Sequence, residues 1–167
     1  AAQLGAKTVC IDNAPELGGT CLRIGCIPTK AWVQTAFGLK EAGETFGKLG
    51  VNVGEPTLDF ATANEWKAAV VKQMTQGVAS LFKANGVEWV KGTGRFKDAN
   101  TIEVEGGEDV SFKSAIIATG SSPLWPPIEG LHSTRCVDSE GLLGQTEVPK
   151  RLVILGGGII GAEFASI

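Results

Sequence analysis

The chain has 167 residues, 43% hydrophobic and 20% charged, with a net charge of −3 and a pI near 5.2. These are ordinary values for a globular protein with roughly one domain and the start of another. They leave no basic footprint for nucleic acid, and apolar runs such as 152–155 fall far short of the roughly 20 residues that span a bilayer.

Residues 1–4 end at Gly5, a predicted helix C-cap. Residues 7–11 form a short β-rich run closed by Asp12, and 14–19 read as a loop. A helix is predicted from Cys21 through Leu39, with Pro28 near its start, where a missing N–H costs little. Residues 60–85 form a second long helix: Trp66, Val70, Met74, Val78, Leu81 and Phe82 recur mostly at three- and four-residue steps. Gly86 is its predicted stop.

From Val87 the period changes to two. Residues 87–97, 101–104 and 110–118 are predicted strands, separated by turns at 98–100 and 105–108. Pro126, Pro127, Gly130, Gly141, Gly144 and Pro149 mark an irregular connection. Residues 151–155 then read as a buried strand feeding Gly156–Gly161 and the start of a helix. The first and last residues both read as parts of helices, so the chain is expected to be cut at both ends. No secretory leader is visible.

Gly156, Gly158 and Gly161 form G-x-G-x-x-G between a predicted strand and a predicted helix. In that setting the first glycine permits the tight turn. The second admits a pyrophosphate, and the third lets helix and strand approach. The alternative is a tight turn with no ligand. Asp12 ends a strand as a ribose-binding acid does, or it is simply a turn aspartate.

The most informative stretch is Gly18–Lys30, which holds Cys21 and Cys26 in a C-x4-C spacing. Three readings stay open at this point. A helix N-terminus lowers a thiol's pKa, and Arg23 and Lys30 add positive charge, so the pair suits a redox dithiol. Two buried structural cysteines are the second reading. The third is half a zinc site, completed by Cys10, Cys136 or His132.

Taken together, Gly18–Lys30, Gln3–Asp12, Val90–Gly94, Ala118–Ser121 and Val148–Ser166 resemble the flavin-dependent pyridine nucleotide–disulfide oxidoreductases along essentially the whole chain. The resemblance implies an α/β fold: a doubly wound, Rossmann-like FAD/NAD(P)-binding domain with an antiparallel β-meander, here incomplete. Residues 1–147 would be an FAD domain without its first strand and glycine motif, and 148–167 the opening of the inserted NAD(P) domain.

Asp12, Gly19, Thr20, Cys21, Gly94, Thr119, Gly120 and Ser121 would line the FAD site. Lys30 would sit by the flavin and Glu163 on its nicotinamide side. Gly156, Gly158 and Gly161 would receive NAD. Cys21 would be the interchange thiol and Cys26 the sulfur facing the flavin.

Within the family, the similarity favours the branch that oxidises protein-bound dihydrolipoamide. Reductases of glutathione, trypanothione, mycothiol or mercuric ion are the alternatives, followed by a non-catalytic redox or metal-binding module. The implied partners are lipoyl domains of 2-oxoacid dehydrogenase or glycine cleavage complexes and a second subunit, in the cytoplasm or a mitochondrial matrix. No metal, membrane or nucleic acid is implied.

Some positions depart from the family pattern. Asp12 stands where Glu is commoner, Arg23 and Ile24 where Asn and Val are common, and Thr29 replaces Ser. His132 is not expected to be the family's acid–base histidine. Cys10 and Cys136 are expected to be structural. Residues 1–167 alone are expected to bind FAD weakly or not at all and to lack turnover.

Overall fold

Strand β1, Val9–Asp12, runs parallel to β2, Glu88–Lys91, with Val9 opposite Glu88 and Asp12 opposite Lys91. The computed structural model describes every residue from Ala1 to Ile167. It divides into two compact units, residues 1–19 with 73–121, and residues 20–72 with 122–167.

The first unit holds the parallel pair and an antiparallel meander of β3 (Gly94–Phe96), β4 (Thr101–Val104) and β5 (Val110–Ser111). Val104 is its buried apolar anchor. Phe96 meets Phe112 edge-on at 5.9 Å. The turn at 98–100 is closed by the Asp98 carboxylate, which accepts from the Asn100 N–H at 2.8 Å. Ala2–Leu4 is a single 3₁₀ turn that ends at Gly5 in the left-handed conformation, as predicted.

The second unit is helical. It contains α1 (Gly19–Ile24, with Gly19 itself in the first unit), α2 (Cys26–Lys40), α4 (Ser139–Leu143) and α5 (Ile159–Ser166). The long helix α3, Phe60–Ala84, contributes residues 60–72 here and 73–84 to the first unit.

The start of α3 is capped by Asp59, whose carboxylate accepts from the Thr62 N–H at 3.1 Å and its hydroxyl at 2.8 Å. Its end is closed beyond Gly86, where the Val87 N–H donates to Phe82 O at 2.9 Å. Trp32, Leu143 and Phe164 make the buried cluster of this unit, flanked by Phe60, Leu142 and Ile154. Lys67 donates to Leu143 O, and its ammonium stands 4.2 Å from the Trp32 ring centroid. Burial holds the Lys67 amine below the ordinary lysine value.

Four sequence expectations are corrected. The helix expected from Cys21 to Leu39 is two helices, broken at Gly25. The strand expected over 87–97 divides into β2 and β3, in different sheets, because the chain turns at Gly92 and Thr93. The strand expected over 110–118 is paired only at Val110–Ser111. Residues 151–155 form no strand, and Val153 is 92% exposed where burial was expected. A β-branched run becomes a strand only when a neighbour accepts its backbone groups, and neither sheet extends to residues 112–118 or 151–155.

Candidate functional site

In the second unit, Cys21 lies in α1, Cys26 opens α2, and Gly25 is the only residue between the helices. Both sulfurs are free thiols and exposed. Exposure removes the reading of a buried structural pair. The Cys21 thiol is held above its ordinary value, first by its hydrogen bond to Cys26, then by desolvation and by the Cys26 charge; Lys30 pulls the other way.

The sequence had suggested a lowered thiol pKa from helix dipole and nearby cations. In the dithiol form the neighbouring sulfur wins for Cys21, because the pair shares a proton that Cys21 donates. Arg23 is not among the charges that act on Cys21.

Lys30, four residues into α2 from Cys26, donates to the carboxylate of Glu163 in α5. The structure thus pairs two residues that the resemblance had assigned separately, Lys30 by the flavin ring and Glu163 on its nicotinamide side. The Lys30 side chain is 58% exposed and that of Glu163 23%. A pair so open to solvent adds little to stability. Its evident consequence is to orient the lysine.

The G-x-G-x-x-G turn shows a division of labour. Gly156 has φ 112°, in the left-handed region. A Cβ on Gly161 would lie 2.4 Å from Gly156 O and 3.2 Å from Ile154 Cγ2. Gly158 caps the N-terminus of α5 without a side-chain partner, and nothing lies within 4 Å of an added Cβ there. Two glycines therefore serve the turn and the helix–chain contact. The third faces open space beside free helix N–H groups, which fits a pyrophosphate.

In the first unit, Asp12 ends β1 as expected. Its carboxylate accepts from the Ala14 N–H at 2.9 Å, so it serves the turn. Its carbonyl accepts from the Trp89 indole at 3.3 Å. Next to it, Asn13 donates to the Thr93 hydroxyl at 3.2 Å; sequence reasoning missed this link, since 80 positions separate the two residues.

A Cβ on Gly94 would come within 3.0 Å of Ile102 Cγ2 and 3.3 Å of Ile11 Cγ2, so packing already requires glycine there. Thr119, Gly120 and Ser121 are exposed, and an added Cβ on Gly120 would meet nothing within 4 Å. That open edge fits a cofactor.

The remaining candidates fall away from the chemistry. No three His, Cys, Asp or Glu side chains are grouped to hold a metal. His132 stacks on Trp125, with ring centroids 5.7 Å apart. Cys136 contacts Gly130 O at 3.7 Å and Ser133 Oγ at 3.5 Å. The Cys10 thiol is half-buried and held above its ordinary value, first by desolvation and then by Asp12.

The sequence profile described as pyridine nucleotide-disulphide oxidoreductase matches residues 1–167, the whole chain. The chain belongs to that family.

Relatives within the oxidoreductase family include the dihydrolipoyl dehydrogenase of Geobacillus stearothermophilus, 46% identical over 99% of this chain and 35% of that protein. The mitochondrial dihydrolipoyl dehydrogenase 2 of Arabidopsis thaliana is 41% identical over 100% of this chain and 34% of its own length. Among solved structures, the HOCl-induced flavoprotein disulfide reductase RclA from Escherichia coli superposes with a TM-score of 0.82 at 31% identity, over 98% of this chain and 34% of that one. The chain thus spans about a third of the length of the relatives it matches. No helix is long and apolar enough to cross a membrane.

Proposed function

We propose that this chain is the dithiol-bearing part of a dihydrolipoyl dehydrogenase-type flavoprotein that oxidises protein-bound dihydrolipoamide to lipoamide and reduces NAD+. The observation that carries the reading is the exposed Cys21–Cys26 pair across the Gly25 break. Its flank is Lys30, oriented by Glu163.

In this reading the Cys21–Cys26 disulfide is the oxidised form. A substrate thiolate attacks Cys21 Sγ, forming a mixed disulfide and releasing Cys26 as a thiolate. The second substrate thiol attacks the substrate sulfur of that mixed disulfide, forming lipoamide and releasing Cys21. The substrate is oxidised by two electrons and the protein disulfide is reduced to a dithiol. Cys21 retains a proton, shared toward Cys26, as its raised pKa supports.

FAD, when bound, supplies the acceptor through which a dithiol and a nicotinamide exchange two electrons. Asp12, Gly19, Thr20, Gly94, Thr119, Gly120 and Ser121 would hold it, with Lys30 at its ring. Gly156, Gly158 and Gly161 would hold NAD, with Glu163 beside it. Residues 1–147 would belong to the FAD domain and 148–167 to the NAD(P) domain. Lipoyl domains of 2-oxoacid dehydrogenase or glycine cleavage complexes would be the partners of a homodimeric full-length protein in the cytoplasm or a mitochondrial matrix.

The test uses the full-length protein and a lipoyl domain. With the lipoyl domain supplied in its oxidised, disulfide form, the Cys21 thiolate of Cys26→Ser is expected to attack the lipoyl disulfide, releasing one lipoyl sulfur as a thiol and holding the other as a mixed disulfide detectable by mass spectrometry; Cys21→Ser is expected to trap none. Trapping on any other residue would remove the assignment. The likeness to RclA supports a second reading, a reductase of another disulfide. Full-length protein that reduces a small disulfide with NAD(P)H but leaves dihydrolipoamide unoxidised would favour it.

A further inference from the structure

We infer that Gly25, held by Thr29, is the positioning residue that sets how readily Cys21 and Cys26 close into a disulfide; this rests on the redox reading of that pair. Gly25 stands between α1 and α2 with φ −141° and ψ −112°. What excludes a side chain there is space. An added Cβ would lie 2.9 Å from Thr20 O and 3.3 Å from Cys21 Cα.

Both obstacles are backbone atoms, which cannot swing aside like the tip of a side chain. A Cβ at residue 25 must therefore push the start of α2 away from the turn that carries Cys21. Cys21 sits in that turn and Cys26 opens α2, so such a movement shifts one cysteine relative to the other.

Thr29 supplies the second half of the device. Its hydroxyl donates to Gly25 O at 2.7 Å, and its N–H donates to the same oxygen at 3.1 Å. Thr29 is buried, so the clamp is shielded from competing water. The clamped carbonyl belongs to the peptide that leads into Cys26, and its orientation fixes where α2 begins. Closing a disulfide between thiols already held in place costs less than closing one between thiols that must first be brought together.

The test is a redox equilibrium on the reduced full-length protein with glutathione as probe. Cys21 and Cys26 thiols plus glutathione disulfide give the Cys21–Cys26 disulfide plus two glutathione thiols, moving two electrons and two protons. Alkylation and peptide mapping read the fraction oxidised. Gly25→Ala is expected to lower the equilibrium constant at least tenfold, a potential about 30 mV less negative.

Thr29→Val removes the hydroxyl and is expected to move the constant in the same direction by a smaller factor. Thr29→Ser keeps the hydroxyl and is expected to hold the wild-type value. Should Gly25→Ala fail to fold, the two Thr29 variants decide.

An unchanged constant in Thr29→Val, or an equal fall in Thr29→Ser, overturns the inference. So does an unchanged constant in a folded Gly25→Ala. A wild-type chain that forms no Cys21–Cys26 disulfide overturns the redox reading itself, and this inference with it. A wild-type disulfide with unaltered variants overturns this inference alone.

Discussion

The amine of Lys30 donates to the carboxylate of Glu163, joining α2 to α5 across 133 positions of sequence. Lys30 also acts on the dithiol, since its charge opposes the rise in the Cys21 pKa. Glu163 is therefore expected to act on Cys21 only through Lys30. Glu163→Gln is expected to leave the lysine charge unneutralised and to shift Cys21 alkylation by iodoacetamide toward lower pH. Lys30→Met is expected to shift it toward higher pH. Shifts of the same sign in the two variants would break the connection.

Cys26 has a larger hold on Cys21 than Lys30 does, because the Cys21–Cys26 hydrogen bond is the first cause of the raised thiol pKa. Removing the acceptor in Cys26→Ala is expected to bring the Cys21 titration back toward the ordinary thiol range. At pH 8 the reduced variant is then expected to alkylate at Cys21 faster than the reduced wild type. Mass spectrometry of the peptide containing Cys21 measures both rates. A slower rate would mean that Cys21 was already the thiolate of the pair.

Asp59 offers a pH-dependent test of the fold. The Thr62 backbone N–H, and then the Thr62 hydroxyl, hold its carboxyl below the ordinary value of 3.8. A folded pKa below the unfolded one means that the stabilisation is complete above the unfolded value. It is lost as pH falls through the folded value. The difference in melting temperature between wild type and Asp59→Ala is thus expected to be steady near neutral pH and to narrow on acidification below pH 3.8, toward the difference that a neutral acceptor gives. Asp59→Asn keeps an acceptor without the charge. Its difference from Asp59→Ala is expected to persist in acid.

The motif glycines separate into two that the turn and the packing require and one that faces open space. Gly161→Ala places a Cβ against Gly156 O at 2.4 Å and is expected to destabilise the chain by about 1–3 kcal/mol, the usual cost of overpacking. Gly158→Ala meets open space and is expected to change stability little. In the full-length protein it is expected to weaken NAD binding, measured by isothermal titration. Tight NAD binding by Gly158→Ala would show that the open space at α5 is not the pyrophosphate site.

Local chemistry was legible in the sequence. The cap at Gly5, the extent of α3, its stop at Gly86, and the turn and packing roles of Gly156 and Gly161 follow from patterns a few residues long. The Cys21–Cys26 stretch was legible for the same reason, since the sulfurs, the intervening glycine and the following helix are neighbours in the chain. The Thr29 bond to Gly25 O also spans only four residues. Threonine's habit of bonding back to the carbonyl one turn earlier was the signal that could have revealed it.

What the amino-acid order determined alone was therefore the family, the dithiol and the turn beside α5. Tertiary structure decided the rest. The runs at 110–118 and 151–155 have the composition of strands, yet only Val110–Ser111 is paired. Pairing depends on what another segment offers. The choice of Glu163 as the partner of Lys30 carries no local signature. Nor does the rise of the Cys21 pKa against the pull of Lys30. Helix caps and turn glycines act through the bonds of a single turn, whereas ion pairs, ladders and thiol proton affinities depend on distances that exist only once the chain has folded.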